Sequence, residues 1–167
     1  AQKLLFSLAV TESIGFLKGE REKWLKLGFI DVKRAYFYAP AKRDIFVKLP
    51  PEDYEPGMCG RLLKSMYGTR DAASNWEECY AEFLVSIGFK QGLSSPCIFY
   101  HREKDISTVV HGDDFLVEGL ANDLDWMDQQ MMTYFKVKIC PRVGPGYASE
   151  GKYLNRTLRW TPRGFQW

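Results

Sequence analysis

The sequence feature that most constrains the fold is the segment 106–117, in which two apolar runs flank the polar sequence HGDD. The runs ISTVV and FLV favour strands, and Gly-Asp is common turn chemistry, so the segment predicts a β-hairpin. Asp113 and Asp114 fall at its turn. From this dipeptide alone a polar turn is the favoured interpretation, although neighbouring carboxylates repel each other unless solvent or a cation offsets their charge.

A third acid changes that interpretation. Asp31 lies near the end of the apolar run LKLGFIDV at 25–32, which predicts a buried strand. A carboxylate is costly to bury without a partner. If a sheet brings this strand end beside the 106–117 turn, three acids would surround a site for a hard divalent cation such as Mg²⁺. Such a site suits phosphoryl transfer. The simpler alternative is that Asp31 only ends the strand or caps a neighbouring element.

The rest of the chain mixes helical and strand patterns. Apolar spacing predicts helices over 2–17, 71–87 and 122–134. Short or alternating apolar runs predict further strands over 44–49, 61–66, 97–101, 136–139 and 153–160. Asp71 and Asn122 are placed to cap or open the second and third helices, and Gly88 to end the second. Without strict β-α alternation, this order predicts an α+β fold with helices on a mostly antiparallel sheet.

Composition narrows the class of protein. A length of 167 residues suits one domain, and a net charge of +2 does not predict nucleic-acid binding by itself. Any such binding would have to come from local patches or neighbouring segments. The four cysteines and two histidines do not complete a zinc spacing, which favours idle thiols in a reducing compartment. No signal peptide is recognisable, and no apolar run approaches the length of a membrane span.

Several segments, in order along the chain, resemble the reverse transcriptases of copia-type (Pseudoviridae-like) LTR retrotransposons. The first is DVKRAYFYAPAKRDIFVKLPPEDYEPG, which resembles DVKTAFLNG…EEVYMKQPPGF. The next are RLLKSMYGTRDAASNW, similar to CRLKKSLYGLKQAPRAW, and SIGFKQGLSSPCIFY, similar to a GF…D…LF segment. VVHGDDFLVEG then resembles the YVDD box, and KYLNRTLRWT lies where the family has its FLGIEI strand. An ordered series of this kind is far more specific than any one short motif.

The resemblance implies a reverse-transcriptase palm, built on a ferredoxin-like antiparallel sheet with helices on one face, plus part of the fingers. It implies RNA- and DNA-templated synthesis from dNTPs on a primer, with Mg²⁺ or, as an alternative, Mn²⁺. Integrase and RNase H portions of the same polyprotein are the expected partners, in a cytoplasmic virus-like particle with a nuclear phase. Residues 1–167 are expected to be one truncated domain, without the N-terminal part of the fingers, the thumb and RNase H.

The resemblance also implies roles for individual residues. Asp31 matches the first metal ligand and the carbonyl of Val32 a further one. Asp113 matches the second metal carboxylate, and Asp114 its partner in the box, which supports the primer end. These assignments make the three aspartates the catalytic residues of the expected polymerase, and Asp31, Val32, Asp113 and Asp114 together its metal-binding residues.

A second group of residues is expected to bind substrate. Tyr36 matches the aromatic steric gate, where a ring under the sugar would clash with a ribose 2′-OH; its alternative is core packing. Tyr67 and Gly68 match the YG near the incoming nucleotide and template. Arg70 matches a basic position that could contact phosphate, although a solvated surface arginine is equally compatible with the sequence. His111 could stack by the primer or be an exposed loop histidine.

The sequence departs from the family pattern at several positions. His111 replaces the Tyr of the box, and Gly112 replaces its Val, which is expected to loosen the turn. Asp71 stands where the family usually has Gln, Ser74 where it has Arg, and Ala73 where it has Pro. The changes at 71 and 74 remove potential contacts to substrate or template, while the three acids are intact.

Two other functions compete with the polymerase. A catalytically inactive retroelement remnant would fold and bind nucleic acid weakly at most, and the HGDD change favours it. Another two-metal phosphoesterase would hydrolyse a phosphodiester without dNTPs, but the sequence lacks the extra His or acidic residues usual in such sites. Because electrostatic neutralisation of phosphates is a large share of such catalysis, metal binding is expected to survive in this chain better than processive synthesis.

Overall fold

The computed structural model describes residues 25–161 and 164–166. These residues form two compact units. The sheet unit contains 25–33 and the described residues from 84 onward, and the insert unit is Arg34–Phe83. The helix predicted over 2–17 lies outside the described residues. Among the described residues, none of the helices has an apolar stretch of the length that a membrane span requires.

The elements follow the chain in a mixed order. The strands are β1 (Lys26–Val32), β2 (Phe46–Val47), β3 (Gly60–Arg61), β4 (Lys90–Gln91), β5 (Ile98–His101), β6 (Ile106–His111), β7 (Asp114–Gly119), β8 (Val137–Val143), β9 (Glu150–Tyr153), β10 (Arg156–Thr161) and β11 (Gly164–Gln166). The helices are α1 (Ala72–Ser86) and α2 (Ala121–Tyr134). The expected α+β composition is therefore confirmed.

The sheet unit is built on one six-stranded sheet in the order β4-β5-β6-β7-β1-β8. Its neighbouring strands pair antiparallel throughout. The chain passes from β7 through α2 to β8, and β1 lies between those two strands. This split β-α-β connection, together with the β6-β7 hairpin, gives the four central strands the order of a ferredoxin-like sheet. The topology places the end of β1 beside the start of β7.

Helix α2 covers one face of this sheet. The apolar spacing predicts a buried stripe of Leu124, Met127, Met131 and Tyr134; the first three are buried, but Tyr134 is exposed. A Cβ at Gly28 would stand 3.9 Å from Leu124 Cδ1, so the helix lies close over β1. The helix begins one residue before Asn122, at Ala121, and its N-cap residue makes no side-chain capping bond. The prediction that Asn122 caps the helix is therefore wrong.

A second, three-stranded sheet covers the other face, in the order β11-β10-β9. Leu27 and Phe29 from β1 and Leu116 from β7 are buried in one cluster with Tyr153 and Leu158 from this layer. The rings of Phe29 and Tyr153 are 5.7 Å apart. These residues alternate along β1 with those facing the helix, so a core lies on both sides of the central strand.

The strand predicted over 153–160 is in fact two strands. Leu154 and Asn155 adopt positive φ angles of 48° and 60° and turn the chain between β9 and β10. Asn tolerates this conformation readily, but Leu rarely adopts it, so the dipeptide gives little turn signal. The strand predicted over 136–139 is confirmed but extends to Val143.

The insert unit has little regular sheet. The strands predicted over 44–49 and 61–66 shrink to the two-residue pair β2–β3. Elsewhere in this unit the chain pairs through isolated backbone hydrogen bonds. One runs from the Ala41 amide to the Leu63 carbonyl at 3.1 Å and another from the Ser65 amide to the Ala39 carbonyl at 2.9 Å. The length of these strands is set by how many residues of the neighbouring strand can pair with them, and not by the apolar pattern of the sequence.

Helix α1 begins and ends as the sequence predicts. The carbonyl of Asp71 accepts the first helical hydrogen bond, from the Asn75 amide at 3.0 Å. The Asp71 carboxylate pairs with Arg43 at 3.1 Å, and this partner holds the pKa of Asp71 below its usual value. At the other end Gly88 has a φ of +100°, and the amides of Gly88 and Phe89 bond back to the carbonyls of Val85 and Leu84. This is a Schellman C-cap, for which glycine is the favoured residue.

Candidate active site

Strand register brings two of the three predicted acids into direct opposition. Asp31 on β1 pairs with Asp114 on β7. Asp114 also pairs with His111 on β6, and Asp31 with Lys138 on β8. Directly opposed residues in antiparallel strands present their side chains on the same face. A row of four side chains therefore crosses the sheet in the order His111, Asp114, Asp31, Lys138.

The third acid is held at the same place by a backbone bond. The Val32 amide donates to the Asp113 carbonyl at 2.9 Å, which ties the hairpin turn to the end of β1. Antiparallel pairs alternate between hydrogen-bonded and non-hydrogen-bonded types. The next pair, Asp31 with Asp114, is therefore of the non-hydrogen-bonded type, whose Cα atoms are about 4.5 Å apart. The structure thus brings all three acids together at one end of the central strands.

The turn itself is a tight hairpin with Gly112 and Asp113 as its two central residues. Gly112 has a φ of +63°, while Asp113 is not among the residues with positive φ. This combination matches a type II′ turn, which requires glycine at its first central position. Gly112 therefore satisfies the turn geometry without strain, and the expectation that it loosens the turn is not supported.

The electrostatics of the site are dominated by the negative charge of the three aspartates. Asp31, Asp113 and Asp114 are each half-buried. Burial raises the pKa of Asp114 above its usual value, the charges of Asp113 and Asp31 raise it further, and His111 opposes the shift. Since three carboxylates repel one another in a partly desolvated place, a bound cation would relieve a cost that the fold already carries.

The donor set can be tested against a magnesium ion. Among residues 25–161 and 164–166, no three His, Cys, Asp or Glu side chains are arranged as a preformed metal cage. Mg²⁺ rarely uses such cages; it keeps several waters and binds through one or two carboxylates together with substrate phosphates. The Val32 carbonyl adds a further oxygen, because it points to the same edge of β1 as the amide that bonds Asp113. These residues fit an ion completed by water and substrate.

Lys138 is the residue that sequence reasoning missed. It lies on β8, the edge strand of the six-stranded sheet, and its side chain is exposed. Its place beside Asp31 depends on the β1–β8 register, which shifts between Leu27 and Phe29. No local pattern in the sequence reports that shift. A motif match alone could therefore not identify this cation in the row.

The other predicted residues lie in the insert unit. Tyr36 is on a 3-10 helix over Ala35–Tyr38, and its ring centroid is 4.3 Å from that of Tyr67. The Thr69 amide bonds the Met66 carbonyl at 3.1 Å, and Gly68 has a φ of +88°. This geometry is that of a type II turn with Tyr67 and Gly68 at its centre.

Two predicted binding residues are accessible to a ligand. The side chain of Arg70, which follows the Tyr67–Gly68 turn, is exposed, and so is that of His111. Exposure is compatible both with substrate contact and with simple solvation. Their assignment as binding residues therefore stays a prediction.

Comparison with known proteins agrees with the geometry. The family model described as "Reverse transcriptase (RNA-dependent DNA polymerase)" matches residues 13–144. The Transposon Ty1-MR1 Gag-Pol polyprotein of Saccharomyces cerevisiae is 26% identical over 106 residues, which are 63% of this chain and 6% of that polyprotein. The Transposon Ty1-DR4 Gag-Pol polyprotein of the same yeast is 28% identical over 106 residues, 63% of this chain and 7% of its own length. The chain thus spans a small fraction of the curated relatives that it matches. It belongs to the reverse transcriptase (RNA-dependent DNA polymerase) family, in its copia-type LTR-retrotransposon branch.

Proposed function

We propose that this chain carries the catalytic centre of an RNA-directed DNA polymerase, which transfers nucleotides from dNTPs to a primer 3′-hydroxyl by a two-metal reaction. The observation that carries the proposal is the direct pairing of Asp31 with Asp114, with Asp113 tied to the same strand end. Membership of the reverse transcriptase family supplies the reaction class. In this proposal the sheet unit corresponds to the palm and the insert unit to part of the fingers.

The three acids have distinct roles in this reaction. Asp31, Asp113 and the Val32 carbonyl hold Mg²⁺, or Mn²⁺ in its place. When bound there, the ions supply positive charge that makes the primer hydroxyl a better nucleophile and offsets charge on the leaving oxygen. Asp114 supports the primer end, and the raised pKa of its carboxyl reflects how strongly the neighbouring acids and burial act on it.

The bond changes follow from in-line phosphoryl transfer. The primer 3′-oxygen loses its proton to solvent and forms a bond to the α-phosphorus of the dNTP. The bond from that phosphorus to the bridging oxygen breaks, and pyrophosphate leaves with the electron pair. The protein positions these groups and stabilises charge without forming a covalent intermediate.

The substrate contacts are carried over from the resemblance. Tyr36 acts as the gate that excludes a ribose 2′-hydroxyl. Tyr67, Gly68 and Arg70 contact the incoming nucleotide or template, and His111 lies by the primer. The partners are an RNA or DNA template-primer and the integrase and RNase H portions of one polyprotein, in a cytoplasmic particle with a nuclear phase.

The test is nucleotide incorporation on a primed RNA template with Mg²⁺ or Mn²⁺. We expect the chain to add dNTPs, weakly and with low processivity, and Asp113→Asn to abolish the addition, because an amide removes a charged ligand without changing shape. Asp105→Asn is the matched control: it makes the same chemical change at the opposite end of β6, at a positive φ that Asn tolerates. Equal incorporation by the wild-type chain and Asp113→Asn would remove the proposed catalytic role.

Metal binding without turnover would point instead to the inactive remnant. Hydrolysis of a phosphodiester without dNTPs would favour a phosphoesterase.

A further inference from the structure

We propose that Tyr67 is a positioning residue for the Tyr36 ring, and that it thereby helps to set the preference for deoxynucleotides over ribonucleotides. This inference rests on the proposed polymerase function and deepens it. A steric gate excludes a hydroxyl group only if its ring cannot turn away from the sugar. The structure supplies a device within the insert unit that restricts this rotation.

The device is a stack of aromatic rings. The Tyr36 and Tyr67 centroids are 4.3 Å apart with planes tilted by 30°. Phe37, the next residue after Tyr36, meets the Tyr67 ring edge-on at 5.8 Å and 82°. Both arrangements are attractive for aromatic quadrupoles. Consecutive residues of one 3-10 helix thus contact a single ring from the neighbouring turn.

The backbone brings the two segments together. The Ala39 carbonyl accepts from the Ser65 amide at 2.9 Å, and Pro40 bridges Lys64 in antiparallel sense. The 3-10 helix precedes the first strand of this contact and the Tyr67 turn follows the second. In an antiparallel pair such flanking segments meet at the same end. The stack is therefore a consequence of chain pairing.

A buried polar network fixes that pairing. The Ser65 hydroxyl donates to the Pro40 carbonyl at 3.2 Å, and the Asn75 side-chain amide donates to the same hydroxyl at 3.0 Å. Ser65 and Asn75 are both buried, so these bonds would be costly to lose. The network ties the paired segments to the first turns of α1.

The turn that carries Tyr67 is equally constrained. The Met66 carbonyl accepts from both the amide of Thr69 at 3.1 Å and its hydroxyl at 2.8 Å. Gly68 supplies the positive φ that a type II turn needs. The fixed backbone holds the Cα of Tyr67 in place, and the contacts with Tyr36 and Phe37 then favour one orientation of its ring, although 46% of its surface is exposed.

The test compares single-nucleotide addition of a dNTP and of the matching rNTP on a primed RNA template. We expect Tyr67→Ala to lower the ratio of kcat/KM for dNTP over rNTP by about 2- to 10-fold, as the loss of one aromatic pair implies. Tyr67→Phe should restore the ratio, because stacking needs the ring and not the hydroxyl. Tyr54→Ala is the matched control: it removes another exposed tyrosine of the insert unit and should leave the ratio unchanged.

A double substitution separates positioning from general damage. In a Tyr36→Ala background, Tyr67→Ala should have no further effect on the ratio, because there is no gate ring left to position. If Tyr67→Ala does not fold, Tyr67→Leu keeps apolar bulk without a planar ring and should lower the ratio in the same way.

The outcomes distinguish this inference from the proposed function. A wild-type chain that adds no nucleotide contradicts the polymerase proposal and this inference together. A wild-type chain that adds and discriminates, with an unchanged ratio in Tyr67→Ala or Tyr67→Leu, contradicts the inference alone. The inference alone is also contradicted if Tyr67→Ala lowers the ratio in the Tyr36→Ala background as much as it does in the wild type.

Discussion

At the scale of single residues, the site is defined by which side chains oppose each other across β1. The aspartates could be predicted because acids are unusual in apolar strands, and because the segments that contain them resemble known motifs. The pairing of Asp31 with Asp114, in contrast, is known only from the strand register of the structure. Lys138 completes the row, but its position depends on a register shift that no local pattern reports. The residue types of the site could thus be predicted from the sequence, whereas the positions of their side chains across the sheet could not.

The charge of Asp114 gives a prediction about stability. Burial and the neighbouring acids raise the pKa of Asp114 in the folded chain above the unfolded value, near 3.8. The folded chain therefore binds the Asp114 proton more tightly than the unfolded chain does. This difference stabilises the fold at pH values below the unfolded pKa, and the stabilisation is lost as the pH rises through the raised pKa of the folded chain. Asp114→Asn should melt at a higher temperature than the wild type at pH 7.

The pH series supplies the control for this prediction. The difference in melting temperature between Asp114→Asn and the wild type should shrink as the pH falls through the raised pKa of Asp114, because the wild-type carboxyl is then neutral as well. Circular dichroism melts at several pH values in metal-free buffer measure it. A difference that stays constant with pH would contradict the electrostatic explanation.

At the scale of elements, turn chemistry and helix ends were predictable, whereas strand extent was not. The Schellman end at Gly88 and the hairpin over 106–117 each rest on residues with a local backbone preference. The strands predicted over 44–49 and 61–66 are short because their pairing partner is short. The β9–β10 turn was missed because Leu154 adopts a conformation that its residue type rarely favours.

The hairpin turn allows a direct test of backbone strain. A Cβ at Gly112 would meet no atom within 4 Å, yet its φ of +63° disfavours alanine. Gly112→Ala should therefore lower the free energy of unfolding by about 1–2 kcal/mol through conformational strain and not through a clash. Urea titration measures the change.

A matched glycine in the same sheet serves as the control. Gly28 has no positive φ, and a Cβ there would make only ordinary contacts at 3.8–3.9 Å. Gly28→Ala is expected to be nearly neutral. Equal losses at both positions would show that the turn has no special backbone requirement.

At the scale of the whole chain, the resemblance predicted an α+β class with an antiparallel sheet, and the structure confirms this for the sheet unit. The three-stranded layer β9–β11 was not predicted, because its middle turn carries no strong signal. This layer buries the face of β1 that ends in Asp31, since Phe29 packs on Tyr153 two residues before it. The buried core residues of β1 and Asp31 thus follow one another on the same face of that strand.

The most direct measurement of the central proposal is Mn²⁺ binding to the whole chain, followed by electron paramagnetic resonance. The wild type and Asp105→Asn should bind with equal affinity. Asp31→Asn and Asp113→Asn should each weaken binding by about 10-fold or more, which corresponds to about 1.4 kcal/mol. Unchanged affinity in both of the latter variants would contradict a shared metal site at the end of β1.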